Sequence, residues 1–393
     1  MKILQAHNYY QFSGGEDVVL SAEHQLLSEK NHFVKQLLVN NNEIKNYSLI
    51  QKLKIVFSPS DSSIFQGKIK YILNSTNFDI LHCHNFYPLL SPGLFYYSKS
   101  TTTANLLTLH NFRLLCANAS LFRNNNICEE CINKSLYCSL KYKCYRNSRI
   151  ATFAVARMVE THKKMRTWQH EIDAYICLTE FSRRKFRQGG LPNDKLFIKP
   201  NFLEFDPGFE ITTGKYFLFI GRLETVKGVQ LLPEVAGQVS RPINVIGQGT
   251  LLQSFRNVNN LKYLGQQKRS NVMKHLHNAI CLILPSLWYE MMPMTILEAF
   301  ACAKPVIASR LGAMAELIQD GVTGLLFEPG SAEDLAKKMN WAIEHPEEMK
   351  QMGLNARREY ERKYTAETNY KILIEIYQAA IENKKKRLRD ARA

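Results

Sequence analysis

The chain has 393 residues, of which 45% are hydrophobic and 22% charged, an ordinary globular composition that predicts two or three domains. No window approaches the roughly 18 consecutive apolar residues of a membrane-spanning helix, and the N-terminus MKILQAHNYYQF turns polar too early for a secretory signal. We therefore expect a cytoplasmic protein, with which nine cysteines are compatible as free thiols.

Most of the net charge of +16 lies in the first half. Residues 1–200 hold 26 Lys and Arg against 14 Asp and Glu, a balance of +12, whereas residues 201–393 hold 25 against 21, a balance of +4. This asymmetry indicates an anionic partner such as a nucleic acid, a lipid headgroup or a phosphorylated substrate. A solvated basic face without a dedicated partner is the alternative.

Short apolar strands alternate with helical stretches along the first half, which predicts a parallel doubly wound sheet. The predicted strands are Lys2–His7, Phe33–Val39, Asp79–Cys83, Leu106–His110 and Ala174–Leu178. A loop and a helix from Glu16 to Lys30 follow the first strand. Ligands bind beyond the carboxyl ends of the strands in such sheets, and Gly14, Gly15, His82, His84 and His110 all fall at these ends.

A second alternating pattern follows a predicted linker at residues 202–214, so we expect a first domain at 1–201 and a second at 215–365. Its predicted strands are Tyr216–Ile220, Ile243–Ile246, Ile280–Leu284 and Pro305–Ala308. A helix from Ala366 to Asn383 is expected to pack back on the first domain, and the basic tail KKKRLRDARA is expected to fray.

The segment WYEMMPMTILEAF holds two carboxylates in an otherwise apolar stretch. Pro293 suits the first turn of a helix, which places Glu290 in the preceding loop and Glu298 about one turn inside the helix. The free amides around Met294 and Thr295 form an anion site, and the two acids beside it accept hydrogen bonds from hydroxyls. A nucleotide sugar has this pattern of charge. Spacing alone also allows a capping carboxylate and a surface glutamate.

Two cations follow the strand YFLFI in the motif GRLETVKG. Arg222 can grip two phosphate oxygens and Lys227 adds a point charge, although both can also be solvated surface cations. Gly247, in GQG after the next strand, is a weaker candidate. In the first half, the SGGE motif at Ser13–Glu16 opens a helix whose glycine N–H groups can approach a diphosphate. The two halves together predict an anion-binding interdomain cleft.

GRLETVKG, WYEMMPMTILEAF, the following ACAKPVIASRLGAMAELIQDGVTGLLFEPG and SGGE resemble glycosyltransferase family 4 over nearly the whole chain. HNFRLLC with the later cysteines, and LTEFSRRKF, resemble a bacterial subgroup that builds surface polysaccharides or glycolipids. The resemblance implies the α/β GT-B fold, with two Rossmann-like doubly wound domains facing an interdomain cleft. It implies a retaining enzyme that moves a hexose from a UDP- or GDP-linked sugar to a glycan or lipid-linked acceptor.

The resemblance also implies how the donor is bound. Arg222 and Lys227 match the pair that holds the donor diphosphate. Glu298 matches the glutamate that binds the nucleotide ribose, and the amides near Met294 and Thr295 would contact phosphate or sugar. No Asp-x-Asp motif occurs in the sequence, so we expect no catalytic Mg²⁺ or Mn²⁺.

By the same resemblance, Glu290 and His110 lie near the reacting sugar, and Gly15 approaches the donor. Many relatives have a glycine after the first glutamate, where this chain has Met291. The family is thought to use same-face attack, in which the leaving phosphate accepts the acceptor's proton and Glu290 positions and stabilises. A covalent carboxylate intermediate is the other possibility.

Five cysteines crowd together at Cys116, Cys128, Cys131, Cys138 and Cys144. Cys128 and Cys131 form a C-x2-C knuckle, which with Cys116 and Cys144 can make a tetrahedral structural zinc site. The related subgroup shares these four cysteines and not Cys138. Free thiols or a disulfide are the alternatives.

Two further features bear on the acceptor. The basic amphipathic stretch Arg149–Trp168 either lies on an anionic membrane at its cytoplasmic face or is a core helix with a solvated basic side. His82 and His84 either contact the acceptor or are satisfied strand-end residues.

Two other functions compete with a glycosyltransferase. The first is a GT-B epimerase or phosphorylase. The second is a nucleic-acid-binding protein with a zinc knuckle, which would leave GRLETVKG and the two glutamates unexplained.

Overall fold

The structure, a computed structural model, describes residues 1–11, 14–48, 50–51, 65–99 and 101–391. Ser13 of the SGGE motif lies outside these residues. The chain divides into two compact units. The first comprises Met1–Leu121, Cys128–Lys199 and Asn369–Ala393, and the second comprises Phe122–Ile127 and Pro200–Thr368. Residues 202–214 are all described and contain no helix or strand.

The strands and helices alternate along the chain, as expected for doubly wound sheets. The strands are β1 (Lys2–Tyr9), β2 (Phe33–Asn40), β3 (Ile80–Asn85), β4 (Ala104–Thr108), β5 (Phe122–Arg123), β6 (Asn126–Ile127), β7 (Ala174–Cys177), β8 (Leu196–Ile198), β9 (Tyr216–Ile220), β10 (Ile243–Ile246), β11 (Leu261–Tyr263), β12 (Ala279–Leu284), β13 (Val306–Ser309) and β14 (Gly324–Phe327). The helices are α1 (Gly15–Glu29), α2 (Gln66–Ser75), α3 (Glu130–Asn133), α4 (Arg149–Lys164), α5 (Thr167–His170), α6 (Glu180–Gln188), α7 (Leu231–Ala236), α8 (Arg269–His277), α9 (Met294–Ala301), α10 (Gly312–Leu317), α11 (Ala332–Glu344), α12 (Pro346–Lys363) and α13 (Ala366–Asp390).

A six-stranded sheet of order β2-β1-β3-β4-β7-β8 forms the centre of the first unit. All its neighbouring strands are parallel. Every residue of β3 and β4 is buried, because parallel strands are covered on both faces. The parallel register places the carboxyl ends of β1, β3 and β4 at one edge of the sheet. His82 and His84 lie in β3, His110 follows β4, and the Gly14–Gly15 turn follows β1.

The second unit has a six-stranded sheet of order β11-β10-β9-β12-β13-β14, again parallel throughout. Phe217, Phe219 and Ile283 of this sheet pack with Leu335 and Met339 of α11 in one apolar core. The loops after β9, β10 and β12 leave the same edge of the sheet. The two sheets confirm the predicted doubly wound α/β architecture.

Five short strands, β5, β6, β8, β11 and β14, were not predicted, and β14 shows why. It begins with Gly324, a residue with low strand propensity. A Cβ on Gly324 would lie 2.1 Å from the Val306 carbonyl oxygen, so the close approach of the two backbones requires glycine. The pattern of apolar residues carries no sign of such an approach.

The prediction that the basic tail frays is wrong for residues 384–390, because α13 continues past Asn383 to Asp390. The last two residues of the tail lie outside the described ranges. Lys384 is buried and its Nζ donates to a backbone carbonyl at 2.8 Å. Arg387 donates to Glu171 at 2.8 Å and to Asp173 at 3.0 Å. Two cations of the tail therefore have buried partners in the first unit, which a run of like charges does not reveal.

Candidate functional site

The loops that follow β9 and β12 in the second unit are held against each other. The Leu287 N–H donates to the Val226 carbonyl at 2.9 Å. Gly228 has a φ of 66°, and a Cβ on it would lie 1.8 Å from the Pro285 carbonyl oxygen. Only glycine permits this approach, so GRLETVKG and WYEMMPMTILEAF are parts of one local structure.

Glu290 is buried and accepts three hydrogen bonds on one carboxylate oxygen. Lys227 Nζ and Ser286 Oγ each donate to Oε1 at 2.7 Å, and Trp288 Nε1 donates to it at 2.8 Å. Burial raises the pKa of a carboxyl, but the Lys227 charge and the three hydrogen bonds outweigh it, and the pKa of Glu290 is lowered. Glu290 is therefore ionised at neutral pH. Among the described residues, no donor reaches its Oε2.

Lys227 lies between Glu290 and an aromatic ring. Its Nζ is 5.5 Å from the centre of the Trp288 ring, a cation–π contact that adds to the ion pair. An ammonium has three N–H donors, so donation to Glu290 leaves two for phosphate oxygens. The fold thus brings together two candidate residues that are 63 positions apart in the sequence.

Helix α9 begins at Met294 with Pro293 as its N-cap, which corrects the predicted place of Pro293 in the first turn. Because the cap offers no side-chain acceptor, the amides of Met294 and Thr295 have no partner within the helix. Arg269 Nε lies 3.9 Å from Glu298, on the second turn. Burial raises the pKa of Glu298 to about 7, which the Arg269 charge only partly opposes. Glu298 is therefore near its ionisation midpoint at neutral pH.

Arg222 and Gly247 follow neighbouring strands but differ in their surroundings. Arg222 is exposed and has no ion pair within the described part of the chain. Gly247 has a φ of 143°, and a Cβ on it would lie 1.8 Å from the Gly221 carbonyl oxygen. Packing of the GQG loop on the GRLETVKG loop therefore accounts for a glycine at position 247, and its donor contact stays a prediction.

Gly14 and Gly15 lie at the start of α1 in the first unit. The Asp17 carboxylate accepts the Gly14 N–H at 3.0 Å and lies 2.9 Å from His7 Nε2. A Cβ on Gly14 would meet no described atom within 4 Å, so the space beside this helix start is open. Burial, with the Asp17 charge, raises the pKa of Glu16 to about 8. A donor contact of the two glycines stays a prediction.

His82 and His84 lie in a buried network around Glu23 of α1. Glu23 Oε1 is 2.9 Å from His82 Nδ1 and 3.2 Å from His84 Nε2, and Lys199 Nζ is 3.1 Å from Oε2. His82 is fully buried, and its Nε2 lies 2.7 Å from Thr108 Oγ1. Both ring nitrogens of His82 thus have protein partners, which argues against its predicted contact with the acceptor and agrees with the strand-end alternative.

His110 is the one of the three candidate histidines that is partly exposed. Its Nε2 lies 3.1 Å from His84 Nδ1. Burial lowers the pKa of His84 to about 3 and that of His110 well below its ordinary value, so both rings are neutral. The sequence reasoning missed Glu23 and Lys199. A carboxylate on the apolar face of a predicted helix was the available signal for Glu23.

The thiols of the cysteine-rich segment gather around Cys131. Burial raises the pKa of Cys131 to about 12, and the charges of the neighbouring thiols add to this rise. These thiols are those of Cys116, Cys144, Cys138 and Cys128. All nine cysteines are free thiols in the structure.

Closer groups of metal-binding side chains occur elsewhere in the first unit. Within the described ranges, the groups of three whose donor atoms lie within 4.8 Å of one another are Glu23–His82–His84 and His7–Glu16–Asp17. Neither contains a cysteine, so the zinc assignment to the cysteines stays a prediction.

The basic helix α4 packs its apolar face inside the first unit. The buried side chains on this face include Ala154, Val155, Met158 and Val159. The apolar face that membrane binding requires is therefore occupied, as in the core-helix alternative. Among the residues that the structure describes, no helix has the length and apolar character to cross a membrane.

Known proteins resemble this chain in sequence. Residues 203–359 match the family described as glycosyl transferases group 1. A glycosyltransferase of Methanocaldococcus jannaschii, MJ1178, is 26% identical over 379 residues, which cover 93% of this chain and 95% of that protein. The O-antigen chain mannosyltransferase C of Escherichia coli is 26% identical over 185 residues, or 44% of this chain and 49% of that protein.

Solved structures share the fold. Sucrose-phosphate synthase from Thermosynechococcus elongatus has a TM-score of 0.71 at 15% identity, covering 96% of this chain and 98% of that one. Anabaena Alr3699/HepE in complex with UDP has a TM-score of 0.63 at 17% identity, covering 96% and 100%. These likenesses confirm the predicted GT-B fold. With the domain match and the relatives, they identify the chain as a transferase enzyme, a GT-B glycosyltransferase.

Proposed function

We propose that the enzyme transfers a hexose, with retention of configuration, from a UDP- or GDP-linked sugar to a glycan or lipid-linked acceptor of the cell surface. The observation that carries this proposal is the Lys227–Glu290 pair beside the start of α9, within the matched domain. An ammonium with spare donors, free helix amides and two carboxylates suit a ligand with phosphates in the middle and hydroxyls at both ends.

Different residues of the site bind different parts of the donor. As the diphosphate leaves, Arg222, Lys227 and the α9 amides stabilise its growing negative charge, which is a preorganised electrostatic role that needs no metal ion. Glu298 accepts hydrogen bonds from the ribose hydroxyls. Gly14, Gly15 and Gly247 line the donor site, and His110 contacts the transferred sugar.

Glu290 positions and stabilises the reacting sugar rather than attacking it. The three hydrogen bonds to Oε1, one of them from the Lys227 ammonium, lower the pKa of Glu290 and therefore its basicity, and a weaker base is a weaker nucleophile. This favours same-face attack, in which the leaving phosphate accepts the acceptor's proton, over a covalent glycosyl-enzyme intermediate.

A surface glycan or glycolipid as the product is supported by the relatives. One is named an O-antigen chain mannosyltransferase and another, D-rhamnosyltransferase WbpZ of Pseudomonas aeruginosa, is 28% identical over 160 residues, 39% of this chain and 42% of that protein. The basic first half suits an anionic, lipid-linked acceptor presented at the cytoplasmic face of a membrane.

Donor hydrolysis tests this function. Purified enzyme is incubated with a panel of UDP- and GDP-sugars, and released nucleotide and thermal stabilisation are measured. We expect one donor to be hydrolysed to its free sugar and to raise the melting temperature, and Arg222→Ala to weaken both effects. An enzyme that hydrolyses and binds none of the donors, yet binds RNA or DNA in a salt-dependent way, would overturn the proposal. An epimerase would instead return an altered nucleotide sugar.

Cys116, Cys128, Cys131 and Cys144 form a structural zinc site in this proposal. The neighbouring thiols lie close enough to Cys131 to contribute to its raised pKa, and a bound cation would compensate the negative charge of thiolates gathered in this way. We expect one zinc per chain by metal analysis, lost in Cys131→Ser and kept in Cys138→Ser. A folded wild-type sample without zinc would contradict this assignment.

A further inference from the structure

The buried Glu23 carboxylate fixes the proton positions of the histidines around it. Burial raises the pKa of the Glu23 carboxyl, but the Lys199 charge and a hydrogen bond from His82 outweigh it and hold that pKa well below its ordinary value. An ionised carboxylate can only accept hydrogen bonds. His84 Nε2, at 3.2 Å from Glu23 Oε1, must therefore carry a proton.

The same reasoning extends from His84 to His110. His84 is neutral, so a proton on Nε2 leaves a lone pair on its Nδ1. His110 Nε2 lies 3.1 Å from that Nδ1 and must donate to it. His110 is also neutral, so its own Nδ1 carries a lone pair. No partner in the described part of the chain occupies that nitrogen, and His110 is partly exposed.

We propose that Glu23 is a positioning residue that sets, through His84, the tautomer of His110, so that His110 Nδ1 accepts a hydrogen bond from a hydroxyl of the transferred sugar. The inference rests on the proposed role of His110 in sugar binding. It deepens that role, because it specifies a ligand group that donates at this nitrogen and excludes one that only accepts.

Lys199 explains why the Glu23 group acts as a relay rather than as a metal site. Its ammonium lies 3.1 Å from Glu23 Oε2 and would repel a cation bound between Glu23, His82 and His84. The titratable groups whose charges act on the pKa of His110 are His84, His7, Lys199 and Glu23. The Lys199 cation also disfavours a charged His110, in agreement with a neutral ring.

Nitrogen NMR of the imidazole rings tests the relay directly. In full-length protein labelled with ¹⁵N at histidine, with His110→Gln used for assignment, we expect His84 and His110 in the neutral Nε2–H form at neutral pH, and His82 in the Nδ1–H form. A wild-type His110 in the Nδ1–H form, or a protonated His110, overturns the proposal without any relay variant.

Glu23→Gln gives the sharper test. The amide oxygen of the new glutamine would face Lys199, and its NH₂ group would face the histidines. The NH₂ group would then donate to His84 Nε2, where the carboxylate accepted. We expect His84 and His110 both to change to the Nδ1–H form. Because the sugar then loses a hydrogen bond that positions it for reaction, we expect kcat for hydrolysis of the accepted donor sugar to fall at least about tenfold while its KM changes less than about twofold. Unchanged tautomers with unchanged kcat in a folded variant would contradict the relay.

Gln5→Met is the matched control. Gln5 is buried and its Nε2 also lies near Glu23 Oε1, at 3.4 Å, but it does not lead to His110. We expect the tautomers and kcat to match those of the wild type, and a loss of kcat equal to that of Glu23→Gln would assign the effect to packing. If the wild type hydrolyses no donor, the proposed function fails while the NMR result still decides the relay.

Discussion

Lys227 Nζ lies 2.7 Å from Glu290 Oε1, and this ion pair joins the loops that follow β9 and β12. Only 16% of the Lys227 side chain and 8% of the Glu290 side chain are exposed, so water screens the pair weakly. Each residue therefore stabilises the other within the fold, and in the proposed function each also presents charge to the donor.

Lys227→Met should destabilise the protein by about 3 kcal/mol, because it leaves the Glu290 charge buried without its counterion. Without the ammonium, burial raises the pKa of Glu290 above its unfolded value. The stability of the variant then falls as pH rises through that pKa, whereas the wild type keeps an ionised, paired Glu290. The deficit should thus be larger at about pH 8 than at about pH 5 in urea unfolding.

The double variant Lys227→Met/Glu290→Met is the control. It has no unpaired charge, so it should recover most of the lost stability while remaining inactive in donor hydrolysis. An equal deficit in Lys227→Met at both pH values would show that the buried charge is not the cause.

The place of a residue in the fold can be predicted from the sequence when the features that determine it are local in the chain. The apolar runs of β9 and β12 and the proline before α9 predict where Glu290 and Glu298 lie, since strand ends and helix starts are local features. The partners of Glu23 and Arg387 are not local. Their contacts depend on how α1 and α13 pack against distant parts of the first unit. The place of Glu23 on an apolar helix face indicates burial without identifying its partners, and Arg387 looks solvated until that packing is known.

Donor binding should become tighter as pH rises through about 7. In the proposed donor complex, ribose hydroxyls donate to the ionised form of Glu298. Burial raises the pKa of this residue to about 7, so below that pH donor binding must displace a proton. We expect the Kd of the accepted nucleotide sugar to fall by up to about tenfold per pH unit below the midpoint and to level off above it. Calorimetry with the intact nucleotide sugar measures this, because its diphosphate does not titrate in that range.

Two variants check that Glu298 is responsible. Glu298→Gln should bind the donor more weakly and without the pH dependence. Arg269→Ala should move the midpoint to higher pH, because the Arg269 charge lowers the pKa of Glu298. A wild-type Kd that does not change between about pH 6 and about pH 8 would exclude Glu298 from ribose binding.

Arg222→Ala should weaken binding of the nucleoside diphosphate about tenfold or more, which corresponds to the loss of a charge-assisted hydrogen bond. Because Arg222 is exposed and has no ion pair among the described residues, the melting temperature should not change.

The exposed Arg256 offers a matched control, and Arg256→Ala should leave the Kd unaltered. Calorimetry at two salt concentrations completes the test, since a lost phosphate contact should also reduce the salt dependence. Equal affinities of the two variants would remove Arg222 from the donor site.

Arg387→Ala should destabilise the first unit by about 3 kcal/mol, although Arg387 lies in the tail that the sequence predicts to fray. Arg387 donates to Asp173 through two nitrogens, at 3.1 and 3.0 Å, and the Asp173 side chain is only 1% exposed. Burial already raises the pKa of Asp173 while Arg387 opposes that rise, so removing Arg387 raises it further. Protonation relieves the unpaired charge at low pH, and the deficit in unfolding free energy should therefore grow as pH rises. Lys385→Ala is the control: it removes a solvated i,i+3 partner of Glu382 and should leave the urea midpoint close to that of the wild type. If the two variants unfold at the same urea concentration, the contacts of α13 with Asp173 do not stabilise the unit.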